Sequence, residues 1–226
     1  MSISLTREPD DVNRLSLRKV VSAEEAMQFI SAEATVAVSG SGGGVNEPYI
    51  LLAALERRFL TTGQPTDLTL YHSSGMGDAH GGGTERFAHP GMVRLVYGSH
   101  WSWAPRLAEM AVAGAFEVAV WPQGVLSQLL RESAAGRPGL FTQVGMDTYL
   151  DPRMKLTQPG RHLRPQLIEL SGRPWLYYPA PRIDIALIRT TTADEFGNLS
   201  MEQEGVIMDV LFVIALLILP RDRMLC

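Results

Sequence analysis

The segment from Glu117 to Gly145 constrains the fold of this chain more than any other. An apolar, strand-like run, Val118 to Trp121, passes through Pro122-Gln123-Gly124 into a helical pattern from Val125 to Ala135, and a Gly-Arg-Pro-Gly turn then brings the chain back. A strand followed so closely by an amphipathic helix is typical of a parallel α/β sheet. The turn places Gln123 at the carboxyl edge of that sheet, where α/β proteins bind ligands.

Strands and helices alternate along the rest of the chain in the same way. The pattern predicts strands at Thr35 to Val38, Leu68 to His72, Val93 to Tyr97 and Ile183 to Arg189, and helices at Val21 to about Ser31, after Pro48, at Pro105 to Ala113 and at Met201 to about Val213. Ser22 and Asn46 are placed to cap the first two helices. Gln166 to Leu170 and Trp175 to Tyr178 are typical of a hairpin. We therefore predict an α/β fold with a mostly parallel sheet and helices on both faces.

Composition narrows the class of protein. At 226 residues, with 46% apolar and 19% charged side chains, the chain can bury one large core. A net charge of −4 argues against a nucleic-acid surface, which needs a clustered basic face. The single cysteine, Cys226, allows no disulfide within the chain, which fits a reducing, cytoplasmic location. The longest apolar run, Val210 to Leu219, has ten residues, half of the roughly 20 that span a bilayer, so we expect a core element and no membrane segment.

A cluster of small residues, Gly40-Ser41-Gly42-Gly43-Gly44, lies between the first strand and the second helix. Its spacing does not fit G-x-G-x-x-G, because Val45 stands where the third glycine is needed, and it lacks the lysine of a Walker-type loop. What remains is a bare backbone turn at a helix N-terminus, which could present N–H groups to an anion or oxyanion. The alternative is a tight turn without a ligand.

Other side chains leave more than one interpretation open. Gln123 could orient a carboxylate or stabilise an oxyanion, or it could cap the following helix. The segment Gly75 to Thr84 holds five glycines and is predicted to be an exposed or ligand-covering loop. The available carboxylates are assigned to the surface or to helix capping. They are Glu47, Glu195, Glu202 and Glu204.

Several kinds of site are disfavoured. The five histidines show no H-x-H, H-x-x-x-H or HExxH spacing, so no metal site is predicted. No G-x-S-x-G elbow occurs, which argues against a serine hydrolase. A group of basic residues could meet the phosphates of a large anionic cofactor, although a solvated loop is the simpler interpretation. The group comprises Arg153, Lys155, Arg161, Arg164 and Arg173.

Ordered runs through the chain carry a resemblance to a known family. They are Gly40 to Gly44 with Glu47-Pro48, Leu51 to Phe59, Gly63 to Leu70, His89 to Val93, Gly98 to Trp101, Trp121 to Ser127, Ala134 to Gly139, Asp151 to Arg153 and Ile183 to Met201. Together they resemble the N-terminal half of family I acyl-CoA:carboxylate CoA-transferases, in particular the acetate/propionate type. The resemblance implies the NagB/RpiA/CoA transferase-like fold, with a lead-in at residues 1–20 and the domain at residues 21–213.

The resemblance also implies a chemistry. In that family a glutamate carboxylate attacks an acyl-CoA thioester, and the acyl-glutamyl anhydride becomes a glutamyl-CoA thioester that a second carboxylic acid attacks. The residues implied to line the acyl and oxyanion site are Gly40, Ser41, Gly42, Gly43, Gly44, Gln123 and Gly124. The implied substrates are small carboxylic acids and CoA thioesters such as acetyl- or propionyl-CoA, with no permanently bound cofactor. The complete enzyme is implied to be a homo-oligomer.

The nucleophilic glutamate of the family lies in its second half, and no glutamate of this chain matches that motif. No catalytic residue is therefore predicted here. After Leu211-Phe212-Val213 the sequence departs from the family, and residues 214–226 are interpreted as the aberrant tail of a truncated chain. We expect apolar surface from Ile207 to Leu219, which the missing half normally covers, and no activity of the chain alone. Two alternatives stay open: a true α subunit that needs a separate β subunit, and a non-catalytic α/β protein that binds a small ligand.

Overall fold

The computed structural model describes residues 20–155, 160–194 and 198–205, together with the backbone of residues 217–218. The helices are α1 Ala23–Met27, α2 Tyr49–Thr62, α3 Pro105–Val112 and α4 Gln123–Ala134. The strands are β1 Thr35–Val38, β2 Leu68–Tyr71, β3 Val93–Gly98, β4 Glu117–Val120, β5 Gly139–Thr142, β6 Arg161–His162, β7 Gln166–Leu170, β8 Arg173–Pro179, β9 Ile185–Leu187, β10 Thr192–Ala193, β11 Leu199–Ser200 and β12 Leu217–Ile218. Two short 3-10 turns lie at Gly42–Gly44 and Gly83–Phe87.

The main sheet has the strand order β12-β9-β1-β2-β3-β4-β6, and every pairing in it is parallel. From β1 the chain moves outward through β2, β3 and β4, and it later returns to place β9 on the other side of β1. The order therefore reverses between β1 and β9, so the loops that leave these strands diverge and open a crevice at the carboxyl edge. The predicted mostly parallel α/β sheet is confirmed.

Side-chain alternation along the strands divides the core into two layers. Val36 and Val38 of β1 belong to a layer formed with α1, α2 and α3. Ala37, which lies between them, belongs to a second layer formed with α4 and β8. In that layer Leu126 and Leu129 of α4 are fully buried. The prediction of helices on both faces of the sheet is confirmed.

A smaller antiparallel sheet has the order β5-β8-β7. The hairpin predicted between β7 and β8 is confirmed, and its turn consists of Ser171 and Gly172, both with positive φ. Leu176 and Tyr178 of β8 are buried in the layer that contains α4, so the hairpin packs on the main sheet. A short antiparallel pair, β10 with β11, follows β9.

The helix ends follow the sequence signals only in part. Ser22 caps α1 as predicted, in a capping box: the Glu25 N–H donates to Ser22 Oγ at 3.2 Å, and the Ser22 N–H donates to Glu25 Oε2 at 2.9 Å. The prediction that Asn46 caps the second helix is wrong. That helix begins at Tyr49 after Pro48 and has no side-chain cap, because Asn46 has a φ of 55° and lies earlier, in the turn that leaves the glycine cluster.

The prediction of a helix that begins at Met201 is also wrong for the described part of that segment. Met201 to Gly205 are non-helical and follow β11, and the rest of that prediction lies outside the described residues. The side chains of the apolar surface expected from Ile207 to Leu219 also lie outside the described residues, as does all of the lead-in except residue 20. Leu217 and Ile218, within the predicted tail, pair with β9 in parallel. In the described part of the chain, no helix combines the length and the hydropathy needed to span a bilayer.

Candidate functional site

Three loops meet at the carboxyl edge of the main sheet. The glycine loop (residues 40–44) follows β1, the second loop (residues 75–84) follows β2, and a short segment with Trp103 follows β3. The backbone carbonyl of Trp103 accepts a hydrogen bond of 2.8 Å from the Ala79 N–H, which ties the third segment to the second loop. The Trp103 indole reaches the glycine loop, since a Cβ at Gly42 would lie 2.5 Å from its Nε1. The indole is 42% exposed, so it borders solvent at this edge.

The glycine loop needs glycine for two different reasons. Gly40, Gly43 and Gly44 have φ values of 139°, 74° and 78°, a region that side chains disfavour. Gly42 has no such φ, but the indole of Trp103 occupies the place of its side chain. The Ser41 N–H donates to the Val45 carbonyl at 2.9 Å, which closes the turn. The loop is half-exposed and lies between β1 and α2, as the sequence predicts.

Glu47 differs most from what the sequence suggests. Its assignment to the surface or to helix capping is wrong, because the residue is only 1% exposed. Its Oε1 accepts a hydrogen bond of 2.7 Å from the Gly77 N–H, and Oε2 is buried without a hydrogen-bond partner among the described residues. Burial raises the pKa of Glu47 to about 7; the Gly77 hydrogen bond opposes the rise and the nearby charge of Asp78 adds to it. Glu47 is therefore largely a neutral acid at mildly acidic pH.

Asp78 organises the second loop from the inside. It accepts hydrogen bonds from the Tyr49 hydroxyl and from the N–H groups of His80 at 2.8 Å and Gly82 at 2.9 Å. Although burial acts to raise the pKa of Asp78, these hydrogen bonds outweigh it and lower the pKa. Burial and the adjacent Asp78 in turn raise the pKa of Tyr49. Of the two alternatives predicted for this segment, exposure is wrong for most residues, because the loop folds inward around the carboxyl groups of Glu47 and Asp78, and a ligand-covering role stays a prediction.

His72 lies beneath the second loop in its neutral form. The residue is fully buried, and this burial lowers its pKa to about 4. The indole N–H of Trp101 donates to His72 Nε2 at 3.1 Å. The remaining ring nitrogen, Nδ1, therefore carries the proton and donates to the Ser74 carbonyl. His72 fixes the start of the loop and is not exposed to a ligand.

Gln123 and Gly124 lie at the same edge but not beside the glycine loop. Both are exposed in the first turn of α4, which follows β4. Two strands separate β4 from β1, so the spacing is about 14 Å at roughly 4.8 Å per strand. The structure thus brings residues 40–44 together with Glu47, Trp103 and the second loop, and leaves Gln123 and Gly124 at a distance along the edge.

The loop beyond β9 reaches the glycine loop from the other side of β1. Gly205 packs near Val45: a Cβ built on Gly205 would lie 3.9 Å from Val45 Cγ1. The half-buried Glu204 next to it accepts a hydrogen bond of 2.8 Å from the Thr191 hydroxyl. Glu202 is exposed and accepts from Ser200, while Glu195 lies outside the described residues. Between the two described carboxylates, Glu204 is the half-buried one, and it adjoins the residue that packs near Val45.

Internal contacts occupy part of the basic group. Arg153 forms an ion pair with Asp151 at 2.5 Å, and Arg164 donates to the backbone carbonyls of Tyr149 and Met154 at 2.8 and 2.9 Å. These two arginines therefore support the loop before β6. Within the described ranges, no group of three or more histidine, cysteine or acidic residues could hold a metal ion.

The fold and the loops at its edge define an α/β protein of the CoA-transferase type. The family model for coenzyme A transferase matches residues 20–215, so the chain belongs to the coenzyme A transferase family. The acetate CoA-transferase YdiF of Escherichia coli (strain K12) is 36% identical over 197 residues, which cover 86% of this chain and 37% of that protein. A probable coenzyme A transferase subunit alpha of Bacillus subtilis (strain 168) is 28% identical over 199 residues, covering 88% of this chain and 79% of that subunit.

A solved structure agrees with this assignment. The acyl-CoA transferase YdiF of E. coli O157:H7, crystallised as a thioester complex with CoA, matches with a TM-score of 0.82 and 35% identity. The match covers 88% of this chain and 40% of that chain. The predicted resemblance to family I CoA-transferases is confirmed. The chain spans well under half the length of YdiF.

The sequence patterns miss Glu47, Asp78 and Trp103. One signal in the sequence was available for Glu47: it stands between a glycine cluster and the proline that precedes a helix. Nothing in local spacing shows that Gly77 and Gly83, 30 and 36 positions later, close around it. For Trp103, the absence of a side chain at Gly42 was the only clue.

Proposed function

We propose that this chain supplies the acyl-binding half of an acyl-CoA:carboxylate CoA-transferase, with the nucleophilic glutamate contributed by another polypeptide segment. One observation carries the proposal. The glycine loop lies where the strand order reverses between β1 and β9, at the place where open α/β sheets bind their ligands. Because the chain belongs to the coenzyme A transferase family, we propose that the group bound at this position is the acyl group of a CoA thioester.

The glycine loop suits an oxyanion better than a large charged group. Four of its five residues are glycines, so few side chains shield its backbone, and four residues separate it from α2, which begins at Tyr49. In CoA transfer, negative charge develops on a carbonyl oxygen when a carboxylate attacks the thioester. Backbone N–H groups of Gly42, Gly43 and Gly44 would stabilise that oxygen. The negative charge of Asp78 behind the loop makes a permanently bound anion less favourable there.

The perturbed carboxyl of this site is unsuited to be the nucleophile. Glu47 Oε1 is engaged by Gly77, and Oε2 lies against Gly83, where a Cβ would be only 2.0 Å away. A thioester carbonyl could not approach either oxygen without displacing the second loop. This steric argument counts against Glu47, and the family resemblance implies that the nucleophilic glutamate lies in another segment.

Gln123 and Gly124 are proposed to contact a different part of the same substrate. They are exposed at the end of β4, about 14 Å along the edge from β1 by strand spacing. An acyl-CoA is long enough to contact both places, with its thioester at the glycine loop. The amide of Gln123 would then orient a polar group of the substrate or of the accepting carboxylic acid.

An NMR titration tests the proposal. Adding acetyl-CoA to the isotope-labelled chain should shift the backbone amide signals of Gly42, Gly43 and Gly44 in a saturable way. Desulfo-CoA, which lacks the thioester, is the control and should perturb these three signals less. Saturable shifts confined to other loops would contradict the assignment of the acyl group to the glycine loop.

The match to a subunit alpha favours one variant of the proposal. Because the chain covers 79% of the Bacillus subtilis subunit, it could serve as the α subunit of a two-chain enzyme. Co-expression with a reading frame that encodes a second half should then yield a stable complex. The homo-oligomer of the complete enzyme, its cytoplasmic location, the identity of the acyl group and the absence of activity in the chain alone stay predictions.

A further inference from the structure

A single carboxyl group joins the two glycine-rich loops of the candidate site. Glu47 follows the glycine loop, and its Oε1 accepts the 2.7 Å hydrogen bond from Gly77 in the second loop. Few groups could replace this contact, because Glu47 is 1% exposed and its other oxygen is buried without a partner among the described residues. Water therefore has little access to either end of the hydrogen bond.

Both loops are shaped around this side chain. A Cβ at Gly40 would lie 2.6 Å from Glu47 Cγ, and a Cβ at Gly83 would lie 2.0 Å from Oε2. Neither position could carry a side chain while Glu47 stays in place. The glycines at these points thus fit the carboxyl as well as the backbone turns, so the contact is a specific feature of the site.

The second loop also carries Trp103 into position. The Gly77 backbone packs on the Trp103 carbonyl, where a Cβ would be 2.2 Å away, and the Ala79 N–H donates to the same carbonyl. Because the Trp103 indole rests on Gly42, a displacement of the second loop would reach the glycine loop by two routes. One is the Glu47 side chain, and the other is Trp103.

We propose that Glu47 is a positioning residue: its buried carboxylic acid holds the second loop against the glycine loop and so sets the geometry of the candidate site. This inference takes from the proposed function only the identity of the ligand that the site binds. The Gly77 hydrogen bond by itself favours the carboxylate, but the cost of burying that charge with a single hydrogen bond is larger, so the neutral acid is the form that holds the loops. Ionisation is expected to loosen the second loop.

The surrounding charges favour the neutral form. From the second loop Asp78 faces Glu47, and it is an anion held by Tyr49, His80 and Gly82. From α2 the Tyr49 phenol lies within range of the Glu47 charge. Arg86, a cation that acts on Tyr49, is paired with Glu56. Ionised Glu47 would therefore face another carboxylate, consistent with its pKa of about 7.

Amide hydrogen exchange of the full chain tests the proposal. The readout is the protection of the Gly77 N–H, corrected for the intrinsic effect of pH on exchange. We expect wild-type protection to fall about tenfold or more between pH ~5.5 and pH ~8.5, because Glu47 ionises within this range. Glu47→Gln cannot ionise and keeps an oxygen for Gly77, so its protection should stay high at both pH values.

Two further variants complete the test. Glu47→Asp retracts the carboxyl by one methylene, so Gly77 should exchange fast at both pH values. Glu109→Gln removes a charge of the same type from an exposed site on α3 and should keep the wild-type pH response. The proposal is overturned if Glu47→Gln loses protection at pH ~5.5, or if wild-type protection does not change with pH. Exchange requires no CoA, so the acetyl-CoA titration can fail while this test succeeds.

Discussion

At the scale of single residues, the site combines bare backbone with two carboxyl groups placed behind it. Glu47 and Asp78 are near one another, yet hydrogen bonding separates their chemistry. Asp78 accepts three hydrogen bonds and has a lowered pKa, whereas Glu47 accepts one and has a pKa raised to about 7. Burial alone would raise both values. Deeper burial and fewer donors together keep Glu47 protonated to a higher pH than the partly buried Asp78.

Glu47 predicts a pH dependence of stability. A carboxyl whose folded pKa exceeds its unfolded value of 4.5 contributes stability that is fully present below pH 4.5 and is lost as pH rises through about 7. The loss approaches about 3 kcal/mol at alkaline pH. His72 acts in the opposite direction, because its lowered pKa contributes stability that is lost as pH falls from 6.5 towards 4. Urea unfolding of wild type and Glu47→Gln at matched pH values isolates the Glu47 contribution.

As pH is lowered from 8 to 5, the free energy of unfolding of wild type should rise relative to that of Glu47→Gln. A constant difference across this range would contradict the raised pKa of Glu47. The exposed Glu109→Gln variant should track wild type at every pH.

A pair of glycine substitutions tests the contact of Trp103 with the glycine loop. Gly42→Ala has an allowed backbone, but its Cβ would meet the Trp103 indole, so the indole must move and its fluorescence should change. Gly43→Ala has open space around it but a φ of 74°, so it should cost roughly 1 kcal/mol and leave the fluorescence unchanged. Spectra compared with Trp103→Phe identify the signal. Equal spectral changes in both alanine variants would contradict the contact.

At the scale of secondary-structure elements, the sequence predicts what local periodicity controls. The strands β1 to β4, the hairpin β7–β8 and the Ser22 cap follow from apolar spacing and from side chains within three residues of one another. The inward fold of residues 75–84 does not, because it depends on Glu47 and Tyr49 from an element some 30 positions earlier. Gln123 was rightly placed at the carboxyl edge, but its separation from the glycine loop depends on strand order, which local spacing does not give.

Core substitutions in α4 test the two-layer arrangement. Leu129 is fully buried in the layer between the main sheet and β8, so Leu129→Ala should lower the free energy of unfolding by about 2–5 kcal/mol. Leu60 near the end of α2 is 62% exposed, so Leu60→Ala should change the free energy of unfolding by less than about 0.5 kcal/mol. Denaturant midpoints measure both. Equal effects would show that α4 does not cover a second core.

At the scale of the molecule, several large apolar side chains are exposed to solvent. Exposed side chains on and beside the small antiparallel sheet include Phe141, Val144, Leu167 and Leu170. Groups of this kind mark interaction surfaces when they are contiguous. Under the proposed function, a second half of the enzyme or a β subunit would cover part of this surface.

Dye binding tests that inference. The isolated chain should bind the hydrophobic reporter ANS and enhance its fluorescence, and Leu167→Lys with Leu170→Lys should reduce the enhancement. Elution as a monomer without ANS binding would contradict a partner-binding role for these side chains.

Under the proposed function, this chain holds the cradle for an acyl group and the reactive carboxyl comes from another segment. The most direct measurement is mass spectrometry after incubation with acetyl-CoA and reduction with borohydride, which converts a glutamyl thioester to the alcohol. We predict no reduced glutamate within residues 1–226 of the isolated chain, and one on a co-purified second half. A reduced glutamate inside this chain would contradict the claim.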